Sequence, residues 1–138
     1  MWPFSKIGPE TRPEQRLGPR GEKLARRHLK RNGLKILARN YRCPGGELDL
    51  IALDPSTKDE LGESAICFVE VKTRRTDRYT DPASAVDSGK RRRLHKAANH
   101  YLAARPAAQD HPTRFDIVSV VLPPGGEPSI VHYPDAFR

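Results

Sequence analysis

Hydrophobic residues recur with a helical period in two segments of the chain, and strand-like patterns occupy the stretches between and after them. The helical stripes predict one helix over Gly21–Asn32 and a second from Asp81-Pro82 to Leu102, which Gly89 could divide. Strands are predicted at Leu34–Tyr41, Glu47–Leu53, 65–73 and Phe115–Leu122, with a short edge strand at Ser129–Tyr133. This order of helix, three strands, helix and further strands indicates an α/β fold with a mixed sheet.

The length of the chain and the composition of its first residues define the expected domain organisation. At 138 residues the chain is large enough for one domain with a single buried core. Residues 1–18 are rich in proline and charge and show no period, so we predict a flexible N-terminal arm. Residues 19–138 are predicted to form a single domain.

Two features of the sequence indicate a cytoplasmic protein. The longest apolar run, Ile117–Leu122, is far too short to span a membrane, and the start MWPFSK lacks the apolar stretch of a secretory signal. The two cysteines, Cys43 and Cys67, have neither metal-ligand spacing nor a neighbouring His/Cys cluster. We therefore expect reduced thiols, no zinc site and no membrane partner.

Carboxylates interrupt two of the predicted apolar strands, in GELDLIA at 46–52 and FVEVKTR at 68–74. Residues i and i+2 of a strand share a face, so Asp49 lies with Ile51, and Glu70 lies with Phe68. An antiparallel hairpin closed by the polar loop Asp54–Ser64 then brings the acids together in one register. Its pairs are Asp49 with Glu70, Ile51 with Phe68, Leu53 with Ile66 and Glu47 with Lys72. A one-residue slip would place the acids against the wrong face.

The acids of this hairpin are open to two interpretations. Converging carboxylates in half-buried strands repel each other, and a hard divalent ion with oxygen ligands relieves that repulsion. Lys72 beside them would neutralise one acid, orient a water or stabilise negative charge on phosphorus. The alternative is a Glu47–Lys72 ion pair, with Asp49 and Glu70 at a solvated sheet edge. Because acids from two strands coincide in a single register, we favour the metal site. For Glu47 itself we expect the ion pair with Lys72 rather than a supporting role beside the metal.

Positive charge is concentrated near the N-terminus and in a later cluster. The chain carries 25 Lys and Arg against 17 Asp and Glu, and residues 1–40 alone carry eleven basic and three acidic residues. The later cluster comprises Lys72–Arg78, Lys90–Arg93 and Lys96. Basic surface around an acidic pocket suits a phosphodiester substrate, although basic stretches by themselves are weak indicators and also occur on merely solvated surfaces.

Four motifs in order resemble a known family. GELDLIA followed by FVEVKTR resembles the PD-(D/E)XK nuclease core, in which an Asp on one strand and Glu-x-Lys on the next hold the catalytic metal. Together RNYRCPGGELDLIA, FVEVKTR, AVDSGKRRRL and RFDIVSV resemble the bacterial YraN-like family of predicted endonucleases, which are distantly similar to archaeal Holliday junction resolvases. The resemblance covers about Gly21–Val121. It implies a restriction-endonuclease-like three-layer core, with a mixed central β-sheet flanked by helices.

The resemblance also implies roles for individual residues. Asp49 and Glu70 would be metal ligands and Lys72 the catalytic lysine, with Glu22 as the helical acid that completes such sites. By its position alone, Glu22 would be an acid favoured at a helix start by the macrodipole. The Val71 backbone carbonyl would join the ligands of one or two Mg²⁺ ions, for which Mn²⁺ would substitute. Phosphate contacts are expected from the basic residues that flank the site: Arg74, Arg75, Lys90, Arg91, Arg92 and Arg93.

These implications lead to an expected function and two alternatives. We expect Mg²⁺-dependent hydrolysis of phosphodiester bonds in DNA, selective for branched or flapped structures because no recognition-helix motif is visible. A homodimer is compatible with the resemblance, since junction resolvases of similar fold act as dimers. One alternative is a nucleic-acid-binding domain that uses the nuclease fold without cleavage. The other is a structural or partner-binding domain whose acids form ion pairs.

Overall fold

The computed structural model describes residues 13–76 and 86–138 of the chain. Over these residues the protein forms one five-stranded β-sheet and three α-helices. The strands are β1 (Lys35–Cys43), β2 (Gly46–Asp54), β3 (Ala65–Arg74), β4 (Thr113–Val121) and β5 (Ser129–Phe137), and the helices are α1 (Pro13–Arg31), α2 (Lys58–Leu61) and α3 (Ser88–Ala103). Short 3₁₀ turns cover Pro55–Thr57 and Pro106–Asp110. No helix among these residues is long and apolar enough to cross a membrane.

The strands lie in sequence order across the sheet, and one neighbouring pair is parallel. β1–β2, β2–β3 and β4–β5 are antiparallel, whereas β3 and β4 run in the same direction. Parallel neighbours need a long crossover, and α3 lies in the connection between these two strands. The predicted α/β class with a mixed sheet is therefore confirmed.

The two long helices pack against separate hydrophobic clusters of the sheet. One cluster joins Leu94 and other buried residues of α3 to Phe68 of β3. The other cluster joins Leu29 of α1 to Val69, the next residue along β3. Successive strand residues point to opposite faces, so the helices contact different faces of β3. This arrangement is compatible with a three-layer fold.

The hairpin of β2 and β3 has the predicted apolar register. Ile51 pairs with Phe68, and the paired residues run from Asp54–Ala65 to Leu50–Val69. The β2–β3 ladder ends there, so the register between these two strands no longer constrains the open end of the hairpin. Leu48 accordingly belongs to the same hydrophobic cluster as Ile51, which the alternation of strand faces alone does not predict.

The first helix and the last strand are longer than predicted. α1 begins at Pro13 instead of Gly21, so the boundary predicted after residue 18 falls inside this helix. Residues 1–12 of the predicted arm lie outside the described residues. β5 continues to Phe137, which pairs with Phe115 of β4. Pairing with β4 compensates for the weak alternation of apolar and polar residues over 134–137.

The helix that follows β3 begins at Ser88 in the described residues, and the predicted start at Asp81-Pro82 lies outside them. Asp87 caps α3, and its side-chain oxygen Oδ1 accepts a hydrogen bond of 2.8 Å from the backbone N–H of Lys90. Gly89 therefore lies in the first turn of α3. The cap also fixes where the side chains of this first turn emerge.

Two glycines allow the long helices to approach the sheet closely. Gly21 of α1 lies against Thr73 of β3, where an added Cβ would overlap the threonine hydroxyl. Gly46 of β2 lies against the backbone of α3, where an added Cβ would overlap the Arg93 carbonyl. Because Glu22 follows Gly21, and Lys90 lies one turn before Arg93, both approaches bring charged side chains toward the open end of the hairpin.

Candidate active site

Asp49 and Glu70 lie together at the open end of the β2–β3 hairpin. Glu70 is buried, with 5% of its surface exposed, which is unusual for a carboxylate. Asp49 Oδ2 accepts a hydrogen bond of 2.7 Å from the backbone N–H of Val71, just beyond the last paired residues. The Asp49 carboxyl group is also within hydrogen-bonding reach of Glu70. We refer to these two residues as the acidic pair.

The electrostatic environment of Asp49 disfavours its ionised form. Burial is the largest cause that raises the pKa of Asp49, and the negative charge of Glu70 raises it further. The hydrogen bond from Val71 acts in the opposite direction, while the charge of Glu22 adds to the increase. The net effect holds the pKa of Asp49 well above its usual range. A cation bound at the acidic pair would offset the negative charges and so remove the repulsion between the two carboxylates.

Two lysines contact the same oxygen of Glu70. Lys72 Nζ lies 3.3 Å from Glu70 Oε2, and Lys90 Nζ lies 2.5 Å from it. Burial lowers the pKa of Lys72 more strongly than the charge of Glu70 raises it. Burial also disfavours the charged form of Lys90. For this lysine, however, the attraction of the acidic pair outweighs the effect of burial and raises the pKa. Lys72 is therefore the lysine of the two that loses its proton more readily.

Glu47 lies outside this arrangement, so the predicted Glu47–Lys72 ion pair is wrong. Glu47 Oε2 instead lies 3.1 Å from Arg42 Nε on the neighbouring strand β1, and the Glu47 side chain is 61% exposed. The antiparallel partner of Glu47 on the β1 side is Arg42, whereas the ladder toward β3 has already ended. Lys72 consequently turns to the buried carboxylate two residues before it on its own strand.

Glu22 of α1 lies within electrostatic reach of the acidic pair. Burial is the largest cause that raises the pKa of Glu22, and the charge of Glu70 also raises it. Arg26 and Arg42 act in the opposite direction. Sequence reasoning missed these two arginines, although Arg26 follows Glu22 by four residues, a spacing that places both on one helix face. The effect of Arg42 on the pKa of Glu22 depends on how β1 packs against α1, and no pattern in the sequence near either residue indicates it.

The predicted phosphate contacts divide into different environments. Arg92 and Arg93 are exposed on α3, and Arg75 is exposed after β3. Arg74 is partly buried, and its backbone carbonyl accepts a hydrogen bond of 2.7 Å from Leu122 N–H. The Arg91 side chain points away from the acidic pair. Its Nε donates a hydrogen bond of 3.0 Å to the Val86 carbonyl, and its guanidinium lies 5.4 Å from the centre of the Phe137 ring. Arg91 thus packs the helix against β5.

A small cavity of about 70 Å³ opens beside the acidic pair. Its lining residues are Glu47, Asp49, Glu70, Lys90, Arg93 and Leu94. Within residues 13–76 and 86–138, no group of three or more His, Cys, Asp or Glu side chains is arranged to hold a metal ion, so Glu22 does not complete a three-ligand group. Magnesium is commonly bound by one or two carboxylates and several waters, and the oxygen donors of Asp49 and Glu70 fit that requirement.

A second charged cluster is centred on Asp116 of β4, which is fully buried. Asp116 Oδ1 accepts 2.9 Å hydrogen bonds from Arg114 Nε and from the backbone N–H of Asp135, and its Oδ2 lies 2.8 Å from His132 Nε2. Arg114 Nη2 also donates a hydrogen bond of 2.8 Å to Asp54 Oδ2. These contacts join β2, β4 and β5, so the cluster has a structural role.

The fold and the acidic pair define an α/β protein in which one strand hairpin presents two carboxylates and a lysine. Comparison with known proteins shows that the chain belongs to the family described as "Uncharacterised protein family UPF0102", whose model matches residues 21–120. The predicted membership of the YraN-like family is thereby confirmed. The match includes Glu22, Asp49, Glu70 and Lys72.

Individual relatives match most of the chain. A UPF0102 protein of Pelobacter propionicus is 44% identical over 129 residues, which are 93% of this chain and 87% of the relative. One from Nocardia farcinica is 46% identical over 127 residues, 90% of this chain and 91% of the relative. One from Geobacter sulfurreducens is 39% identical over 132 residues, 96% of both chains. The similarity therefore extends over most of the chain.

Proposed function

We propose that this protein is a metal-dependent nuclease that hydrolyses phosphodiester bonds in DNA and has a PD-(D/E)XK nuclease core. The observation that carries the proposal is the acidic pair with Lys72 bound to Glu70 Oε2, all three on one hairpin of a mixed sheet. The alternation Glu70-Val71-Lys72 places the lysine on the same side of β3 as the acid. This is the arrangement that the resemblance of the motifs implies.

Asp49 and Glu70 would hold Mg²⁺ or Mn²⁺ through their carboxylate oxygens. The Val71 carbonyl is a further candidate, because the N–H and C=O of one strand residue point to the same edge and the Val71 N–H is directed at Asp49. When bound, the metal would lower the pKa of a water and neutralise charge on the phosphate. Glu22 would act through its charge from the neighbouring helix.

Lys72 would supply positive charge at the scissile phosphate. Its Nζ is held by Glu70 and its side chain is 20% exposed, so the ammonium group faces the acidic pair from a restricted position. A fixed cation of this kind stabilises negative charge that develops on phosphorus without reorganisation during the reaction. Glu70 thereby orients Lys72 in addition to its proposed role as a ligand.

Basic residues near the site would contact the nucleic-acid backbone. Arg92 and Arg93 are exposed in the first half of α3, and Arg93 also lines the cavity beside the acidic pair. Backbone contacts position a nucleic acid without reading its bases. We therefore propose selection by DNA structure, with branched or flapped DNA preferred to a defined sequence.

A cleavage panel tests this function. The full-length protein is incubated with branched, flapped, single-stranded and duplex DNA in the presence of Mg²⁺, Mn²⁺ or EDTA. We expect metal-dependent cleavage, strongest on branched or flapped DNA, and a decrease of about 10²–10³-fold for Lys72→Ala and Asp49→Ala. Lys58→Ala and Asp110→Ala are matched controls, because both residues are exposed and lie outside the site. Cleavage by Lys72→Ala and Asp49→Ala at the wild-type rate would contradict the proposal.

One observation favours a second function, nucleic-acid binding without cleavage. Glu70 Oε2 already contacts the ammonium groups of both Lys72 and Lys90, so the protein itself compensates the charge of this buried carboxylate. The same panel separates the two functions when binding is measured in parallel. Binding of branched DNA without cleavage under any metal condition would establish the second function.

A further inference from the structure

Lys90 occupies a different position from the one expected of a phosphate contact. Its Nζ lies 2.5 Å from Glu70 Oε2, closer than Lys72 Nζ, which lies 3.3 Å from the same oxygen. Lys90 also lines the small cavity beside Asp49 and Glu70. The cation that most closely contacts the buried acid therefore comes from α3, twenty residues further along the chain.

The fold holds the backbone of Lys90 in place and leaves part of its side chain exposed. The Asp87 cap fixes the Lys90 N–H in the first turn of α3, and the buried residue Val86 precedes the cap. The Lys90 side chain nevertheless is 33% exposed, against 20% for Lys72 and 6% for Glu70. A lysine stem with four rotatable bonds can thus carry its ammonium group from Glu70 to solvent without any change in the helix.

A metal ion and Lys90 would compete for the same oxygen. Glu70 Oε2 already contacts two ammonium groups, and a divalent cation bound there would be repelled by both. Lys72 is on the same strand as Glu70 and is more buried, so Lys90 is the cation that can leave. Displacement would place its ammonium group at the mouth of the cavity, where a phosphate would approach.

We propose that Lys90 is an internal counter-cation that occupies Glu70 until a divalent metal ion displaces it, and that it thereby sets the metal affinity of the site. This inference rests on the proposed function, because it requires a metal ion at Glu70. It assigns to Lys90 a positioning role in metal binding that is distinct from contact with the DNA backbone. In the metal-free protein the same contact stabilises the fold by neutralising a buried carboxylate.

The test measures binding of Mn²⁺ alone by calorimetry, together with the thermal midpoint of unfolding in EDTA. We expect Lys90→Met to bind Mn²⁺ at least about tenfold more tightly than wild type. Its midpoint in EDTA should fall below that of wild type, and saturating Mn²⁺ should raise the midpoint more than it does in wild type. Lys90→Arg keeps the charge and should bind Mn²⁺ as weakly as wild type.

Lys96→Met is the matched control, since Lys96 is exposed on the same helix and lies over Gly45 rather than Glu70. Lys96→Met should leave the affinity for Mn²⁺ unchanged. A gain in affinity equal to that of Lys90→Met would overturn the inference, because it would show that removing any nearby positive charge has the same effect. If wild type binds Mn²⁺ and Lys90→Met binds it no more tightly, the inference fails and the proposed function stands. If neither protein binds Mn²⁺, both fail. Binding by Lys90→Met alone would support the inference.

Discussion

Asp49 and Glu70 share one small space, and their neighbours offset the resulting repulsion unequally. Glu70 contacts two ammonium groups, whereas among the described residues Asp49 has one hydrogen bond, from Val71 N–H, in addition to Glu70 itself. Burial and two neighbouring acids raise the pKa of Asp49. Residues that serve binding or catalysis often destabilise the protein that carries them, and Asp49 fits this description.

Asp49→Asn should therefore stabilise the metal-free protein. Asparagine keeps an oxygen that can accept the Val71 hydrogen bond and removes the like charge next to Glu70. We expect an increase of about 0.5–2 kcal/mol in the free energy of unfolding, measured by urea denaturation in EDTA at neutral pH. Asp110→Asn, at an exposed position, should change it little. A lower stability of Asp49→Asn would show that the hydrogen bond outweighs the repulsion.

At the scale of elements, the placement of α3 decides which charges reach the acidic pair. The helix begins at its Asp87 cap, contacts β2 through Gly46 and contributes Leu94 and other buried residues to the cluster with Phe68. Lys90 and Arg93 reach the cavity because this contact is backbone against backbone. Any side chain at position 46 would separate the helix from the strand.

Gly46→Ala should accordingly destabilise the protein. An added Cβ would overlap the Arg93 carbonyl and lie 2.9 Å from the Ala97 nitrogen, both of which belong to a helix backbone that cannot rotate away. Overpacking of this kind costs about 1–3 kcal/mol, which urea denaturation would detect. Gly18→Ala in α1 is the control, since none of the described residues lies within 4 Å of its added Cβ and alanine favours helix. Equal stability of both variants would contradict the close contact.

At the scale of the whole molecule, the acidic pair and the cluster around Asp116 illustrate two treatments of buried charge. Asp116 is fully buried and accepts hydrogen bonds from Arg114 and Asp135, with His132 as a third partner. Burial by itself would raise the pKa of Asp116, but the contacts with His132 and Arg114 outweigh it and lower the pKa. The cavity of about 630 Å³ beside this cluster shares no lining residue with the cavity at the acidic pair.

The stability of the molecule should consequently depend on Asp116 in acid. A lowered pKa in the folded state means that the unfolded chain takes up the proton first as the pH falls. The contribution of Asp116 is thus fully present above its ordinary value of 3.8 and is lost as the pH falls through the lower folded value. Urea denaturation of wild type between neutral pH and about pH 3 should show this decrease.

Asp116→Ala should lose about 3–5 kcal/mol at neutral pH, because it leaves part of a buried charged network without its partner. Its stability should also fall less steeply in acid than that of wild type. Asp110→Ala, on the exposed 3₁₀ turn, should behave as wild type. An unchanged acid dependence in Asp116→Ala would assign the effect to other carboxylates, among which Asp54 also has a lowered pKa.

The class of fold, the β2–β3 hairpin and the meeting of Asp49 with Glu70 could all be predicted from the amino-acid sequence. Apolar residues with a period of two admit one register, and the pair Ile51–Phe68 then brings the acids to the same end. The helix and strand patterns were sufficient for the order of the two long helices and the five strands, because hydrophobic periodicity reports burial directly. They missed α2, which lies in the predicted polar loop and buries no residue.

The cations that the acids contact could not be predicted in this way, because they depend on how the helices pack against the sheet. Glu47 turned out to bind Arg42 and not Lys72, and Glu70 was joined by Lys90 from a helix distant in sequence. Alternation and local spacing constrain neighbours within a strand or helix, whereas contacts between elements depend on where a helix is capped and how closely it packs. Charged side chains with long stems can reach several partners, so their choice is made by packing and burial after the fold has formed.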